Sequence, residues 1–139
     1  MLKTFDPIEM TRPMREELVR AGFEELKTPE QVDRVLGEKS GSVLVFVNSV
    51  CGCAAGSARP GVVAAVKGLA SPPRLTTVFA GQDREATEKA RGYFRNFPPS
   101  SPSVVLLQDG APVYILERRQ IEGRSPDFVA AELRRALQG

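Results

Sequence analysis

The chain predicts an α/β fold, with a mixed central sheet flanked by helices and an extra helix at the N-terminus. Three observations lead there. Runs of β-branched and aromatic residues alternate with segments of helical periodicity, the pattern of a partly parallel sheet. Two apolar runs around Asp109-Gly110 read as a closing hairpin, which makes that sheet mixed. A length of 139 residues, 42% hydrophobic and 26% charged, suits one domain able to bury its own core. Residues 1–139 are therefore read as a single domain, with about 1–21 as a helical extension.

Taken in order, Pro7 to Ala21 carries Met10, Met14 and Leu18 on one helical face, with a break or kink expected near Pro13 and a stop at Gly22. Phe23 to Leu26 reads as a small edge strand. Thr28-Pro29-Glu30-Gln31 is a helix start: Thr caps, Pro suits the first helical position, and Gln31 can reach back as in a capping box. Val32, Val35 and Leu36 form the apolar stripe of that helix before Gly37. Ser42–Asn48 (SVLVFVN) has no alternation and suits a strand buried on both faces. Ala54 to Leu69 is helical in composition, started or kinked by Pro60, with Val62, Val63, Val66 and Leu69 facing the core.

Leu75–Ala80 (LTTVFA) reads as a second buried strand, and Asp83 as the cap of a helix to about Arg95 with Ala86, Ala90 and Phe94 inward. The loop FPPSSP leads into Ser103–Leu107, the hairpin turn and Pro112–Leu116. Ser125-Pro126-Asp127 opens a last amphipathic helix that buries Phe128, Val129, Leu133 and Leu137. This is the element order of a thioredoxin-like fold with an added N-terminal helix.

Composition narrows the chemistry. There is no histidine, which excludes Ser-His-Asp and Cys-His catalysis, HExxH metal sites and His-ligated haem or zinc. A net charge of +2 steers toward no partner, and seven Phe and two Tyr do not interleave with the basic residues as a nucleic-acid platform would. The basic residues are scattered except for the doublets Arg118-Arg119 and Arg134-Arg135. No apolar run approaches the ~20 residues of a membrane span. The N-terminal segment lacks the continuous apolar stretch of a signal peptide, so a cytoplasmic location is the expectation.

What remains is Cys51-Gly52-Cys53, at the carboxyl end of a buried strand where a helix begins. A sulfur there meets the positive end of the helix dipole and unpaired N–H groups, both of which favour thiolate. Gly52 and the small residues Ala54, Ala55, Gly56 and Ser57 leave room for a partner to approach. Arg59 can add positive charge if it points back. A Cys-x-Cys disulfide closes a small ring with more strain than a Cys-x-x-Cys bridge, which inclines the pair toward exchange or oxidation. Two other readings stand beside exchange: cysteines packed as small hydrophobes, and metal binding. Two sulfurs cannot close a four-ligand zinc site, so no metal is expected in one chain, although a dimer could pool four thiolates for zinc or an iron–sulfur cluster. Ser101-Pro102 stands directly before a buried strand, eight residues ahead of Gly110. A thioredoxin fold places a cis-proline at this point, facing the cysteines.

The blocks PMREELVRAGFEEL (13–26), VNSVCGCAAGSARP (47–60), VFAGQDREAT (78–87) and PPSSPS (98–103) resemble the bacilliredoxin family, with likeness from about residue 8 to 137. The resemblance implies a thioredoxin-like fold and a cytoplasmic thiol–disulfide oxidoreductase that removes bacillithiol, or a similar small thiol, from client proteins carrying it as a mixed disulfide. On that carry-over Cys51 attacks the mixed disulfide and takes the bacillithiol, and Cys53 resolves it by forming the Cys51–Cys53 disulfide. Weak disulfide isomerase activity is implied as well. No cofactor is implied; bacillithiol is a co-substrate, and the protein is expected as a monomer or weak homodimer. Asn48, Ser49 and Ser101 match family positions and can hydrogen-bond the bound thiol or the thiolate, or merely cap backbone at a strand end. Arg59 can bind a carboxylate of bacillithiol, or remain a solvated helix arginine. Asp83 reads as a helix cap.

Overall fold

A computed structural model describes residues 6–138. Residues 1–5 of the expected N-terminal extension, and residue 139, lie outside the described residues. The first helix, α1, spans Pro7–Val19 and is capped by the Asp6 carboxylate, which accepts from Ile8 N at 3.0 Å. Its expected break at Pro13 does not occur. Pro13 and Glu9 are both exposed, so the carbonyl that Pro13 leaves without an N–H can be solvated. The inward face is Thr11 and Leu18; Met10 is exposed, contrary to expectation. Gly22, at φ +97°, turns the chain into the two-residue strand β1, Glu24–Glu25.

Helix α2 (Pro29–Leu36) starts as the sequence predicts, with Thr28 Oγ1 accepting from Gln31 N at 3.2 Å. Gln31 reaches one residue further back than a capping box would, accepting from Lys27 N at 2.7 Å. Strand β2 (Ser42–Asn48) lies at the centre of a five-stranded sheet, between β3 (Arg74–Phe79) and β4 (Ser103–Gln108). β1 and β5 (Ala111–Leu116) form the two edges, giving the order β1-β3-β2-β4-β5. β1, β3 and β2 run parallel, while β4 and β5 pair antiparallel. At the hairpin Asp109 and Gly110 have φ of +51° and +84°, the left-handed pair that a tight two-residue connection requires.

The period of two along β2 divides the core. Leu44 and Phe46 face one layer, with Leu18, Val62, Val66, Val129 and Leu133 from helices. Val43, Val45 and Val47 face the other, with Val32, Leu36, Ala86, Ala90 and Phe94. Helix α3 (Arg59–Lys67) and helix α6 (Pro126–Gln138) pack on the first side, and α2 and α4 (Arg84–Arg91) on the second. At the α3–α6 crossing a β-carbon on Gly61 would stand 2.6 Å from Val129 Cβ, so this close approach requires glycine. On α6, Val129 and Leu133 are buried as expected, whereas Phe128 and Leu137 are only half-buried.

Three further differences from the sequence reading have physical causes. The expected α-helix from Ala54 is a wide π-helical turn over Ala54–Ala58 before α3, in which Arg59 N bonds Ala54 O. Pro60 has no N–H, and the widened turn absorbs the missing bond. Asp83 precedes α4 but caps nothing with its side chain; both carboxylate oxygens accept from Arg15, at 2.7 and 3.2 Å. That pair clasps α1 to the start of α4, with the Arg15 guanidinium 4.8 Å from the Phe79 ring centre. Helix α4 ends at Arg91, and a single 3-10 turn, Gly92–Phe94, completes the segment. Finally, a short helix α5 (Arg118–Ile121), absent from the sequence reading, follows β5 and carries a capping box between Glu117 and Gln120.

Candidate active site

The carboxyl end of β2 delivers the chain to Cys51 through Asn48 and Ser49, whose side chains are both hydrogen-bonded. Asn48, 1% exposed, donates from Nδ2 to Met14 O (3.3 Å), and its Oδ1 accepts from Ser49 N (2.8 Å) and Arg59 Nη1 (3.1 Å). Arg59 is 3% exposed; it also donates to Ser49 O (2.8 Å) and to Glu17 (3.0 Å). Both residues therefore brace the junction from inside. Arg59 is thus not the solvated helix arginine the sequence allowed: a charge this deeply buried needs partners from the protein itself, and Asn48, Ser49 and Glu17 supply them.

Ser49 does act on the cysteine, its Oγ accepting from Cys51 N at 3.2 Å. Cys51 O in turn accepts from Ala54 N (3.1 Å) and Ala55 N (3.3 Å), which fixes the first helical turn. Gly52 is exposed with open space where a side chain would be, so the outer wall of the turn is bare backbone. Cys51 and Cys53 are half-buried free cysteines with their sulfurs 2.6 Å apart.

The two thiols are not equivalent. Burial pushes the Cys51 thiol up, but hydrogen bonds from the Cys53 thiol, the Ser49 hydroxyl and the N–H groups of Ala54 and Cys53 outweigh it. The net result is a Cys51 pKa below the ordinary thiol value, the polar hydrogens around its sulfur favouring thiolate. Burial also pushes Cys53 up, and there the hydrogen bond and the charge of Cys51 add to the rise; the Arg118 charge opposes it and that of Glu122 supports it. Cys53 is held above the ordinary value.

The Ser101–Pro102 peptide is cis, as its place in a thioredoxin-like element order predicts, and Pro102 is buried. Helix α5 holds this loop: Arg118 N donates to Ser100 Oγ (2.8 Å) and Arg118 Nη1 to Ser101 O (3.4 Å). Arg118 also bonds Glu122, and the charges of both act on Cys53. Arg118 and Glu122 are thus functional-site residues that sequence reasoning missed. The one available signal was the Arg118-Arg119 doublet, which charge counting alone does not place beside a sulfur. Among the described residues no three His, Cys, Asp or Glu side chains gather as a metal site, and no helix is long and apolar enough to cross a membrane.

The comparisons with known proteins agree with this geometry. Residues 7–139 match the family model described as disulphide isomerase. A bacilliredoxin of Salinibacter ruber is 49% identical over 134 residues, covering 95% of this chain and 79% of the relative. A bacilliredoxin of Bacillus cereus is 53% identical over 125 residues, covering 90% of this chain and 86% of the relative. Among solved structures, a protein with a thioredoxin fold superposes with a TM-score of 0.59 at 18% identity, over 70% of this chain and 83% of that one. That last likeness shows the fold alone: thioredoxin-like, as the element order predicts.

Proposed function

The chain belongs to the bacilliredoxin family, and on that premise we propose that it is a thiol–disulfide oxidoreductase that removes bacillithiol from client proteins. The family and the fold support a redox enzyme; the small thiol and the roles of the residues are our reading. The observation that carries it is the asymmetry of the pair, with Cys51 held toward thiolate and Cys53 toward thiol, 2.6 Å apart.

In the first step the Cys51 thiolate attacks the bacillithiol sulfur of the client's mixed disulfide. A Cys51–bacillithiol bond forms, the client S–S bond breaks, and the client leaves as thiolate and takes up a proton. In the second step Cys53 loses its proton and attacks Cys51 Sγ. The Cys51–Cys53 disulfide forms and bacillithiol departs as thiolate. The client disulfide is reduced and the Cys-Gly-Cys dithiol oxidised, so electrons balance with no further reactant. Ser49 lowers the Cys51 pKa, Gly52 leaves the approach open, and the Ser101–Pro102 loop borders the substrate. The cytoplasm, where thiols are kept reduced, is the proposed compartment, and weak isomerase activity follows from the same exchange chemistry.

Mixing the reduced protein with one client carrying bacillithiol, and with the same client carrying glutathione, tests this reading. Mass spectrometry is expected to show the client regaining its thiol as the protein loses two hydrogen atoms, faster for bacillithiol. Transfer from neither adduct overturns the reading.

A further inference from the structure

A hollow of about 690 Å³ lies between the cis-proline loop and helix α5, within the size range of roughly 300–1,000 Å³ typical of small-molecule sites. Its wall includes Ser101, Arg91 and two ion pairs, Arg118 with Glu122 and Arg119 with Glu117 (2.8 Å). Arg91 differs from the other arginines there. It is half-buried, and among the described residues it has neither a carboxylate within ion-pair distance nor a side-chain hydrogen bond. Burial pulls its pKa down, with only the charge of Glu88 opposing. A partly desolvated guanidinium with no partner favours an anion, and its planar fork suits a carboxylate held by two parallel hydrogen bonds.

We propose that this hollow seats the small thiol and that Arg91 binds one of its carboxylates. The inference rests on the functional reading above and specifies where its co-substrate lies. Arg118 and Glu122, which border the hollow, are also the charges that act on Cys53, and Ser101 of the cis peptide is part of its wall. The seat then selects the sulfur that reacts. In this proposal the seated thiol's sulfur is the one that Cys51 attacks; the new bond forms there, and the electron pair of the broken S–S bond leaves on the client sulfur, which is protonated.

The test compares wild type, Arg91→Gln and Arg91→Lys on one client cysteine carrying bacillithiol, glutathione or 2-mercaptoethanol, the last without a carboxylate. Arg91→Gln is expected to lower kcat/KM for the two carboxylate-bearing adducts about tenfold or more beyond its effect on the mercaptoethanol adduct. Arg91→Lys is expected to recover part of the loss, and added salt to shrink the preference of wild type. An equal effect on all three adducts, or none, overturns the proposal. So does a loss that tracks acidic residues of the client, seen by neutralising them, rather than the thiol. A second arm needs no redox chemistry: S-methyl bacillithiol, which cannot exchange, is titrated into the reduced protein while the Arg91 side-chain N–H signal is followed by NMR. Saturable shifts abolished in Arg91→Gln support the seat even if wild type transfers none of the adducts, an outcome that would sink the functional reading alone. Absence of saturable binding overturns the seat.

Discussion

Arg59 reaches back from the start of α3 to Asn48 at the end of β2, its Nη1 3.1 Å from Asn48 Oδ1 with both residues almost fully buried. The same nitrogen holds Ser49 O at 2.8 Å. The strand-to-helix junction that presents Cys51 is therefore locked by a charge on its inner side. Arg59→Met is expected to cost about 2–4 kcal/mol, because Asn48 and Ser49 O lose a buried charged donor while Glu17 is exposed enough to be rehydrated. Urea unfolding measures the loss. A stable variant with selectively impaired handling of carboxylate-bearing thiols would instead mark Arg59 as a substrate ligand.

Cys51 and Cys53 are expected to separate in a pH series of alkylation. With its folded pKa lowered, Cys51 is a thiolate over a pH range where an ordinary thiol is not, and its rate rises first; Cys53, raised, follows above the ordinary value. The stability consequence has a definite sign. The Cys51 contribution is fully present above the pKa of the unfolded thiol and is lost as pH falls through the folded pKa. Peptide mapping after brief alkylation at stepped pH reports the order, and coincident curves would remove the asymmetry.

Ser49→Ala removes one donor to the Cys51 thiolate and the acceptor for Cys51 N. Its expected effect is an upward move of the Cys51 pKa and an exchange rate at neutral pH lowered about twofold to tenfold, the worth of one hydrogen bond. Stopped-flow alkylation across pH separates a shifted pKa from damage to the fold, which would lower the rate at every pH.

Gly61→Ala places a β-carbon against Val129 and 3.0 Å from Pro126 O. Overpacking at the α3–α6 contact is expected to cost about 1–3 kcal/mol, more than the ~1 kcal/mol that alanine gains over glycine inside a helix. A lowered Tm with an unchanged Cys51 pKa is the expected pair of readings; a raised Tm would mean that the helices part freely.

Much of this molecule is legible in the sequence where a local pattern coincides with a global one. SVLVFVN is apolar without alternation because β2 is the middle strand with helices on both faces, and its bounds follow directly. The Asp109-Gly110 turn and the Thr28 cap are local chemistry and are equally readable. Harder to read are side chains whose partners are distant in the chain. Asp83 looks like a cap until Arg15, 68 residues earlier, takes its carboxylate. Arg59 looks solvated by composition, but the π-helical turn at Ala54–Ala58 rotates it inward to Asn48. Arg118 sits on a helix too short for periodicity to reveal, and only the fold brings it to the cysteines.

The central claim is that Cys51 attacks and Cys53 resolves, and trapping the intermediate measures it most directly. Each single serine variant is mixed with a bacillithiolated client and its intact mass recorded under non-reducing conditions. The account predicts that Cys53→Ser accumulates one bacillithiol on Cys51 and frees the client, while Cys51→Ser acquires nothing and leaves the client modified. Bacillithiol on Cys53 of the Cys51→Ser variant, with full release of the client, would contradict it.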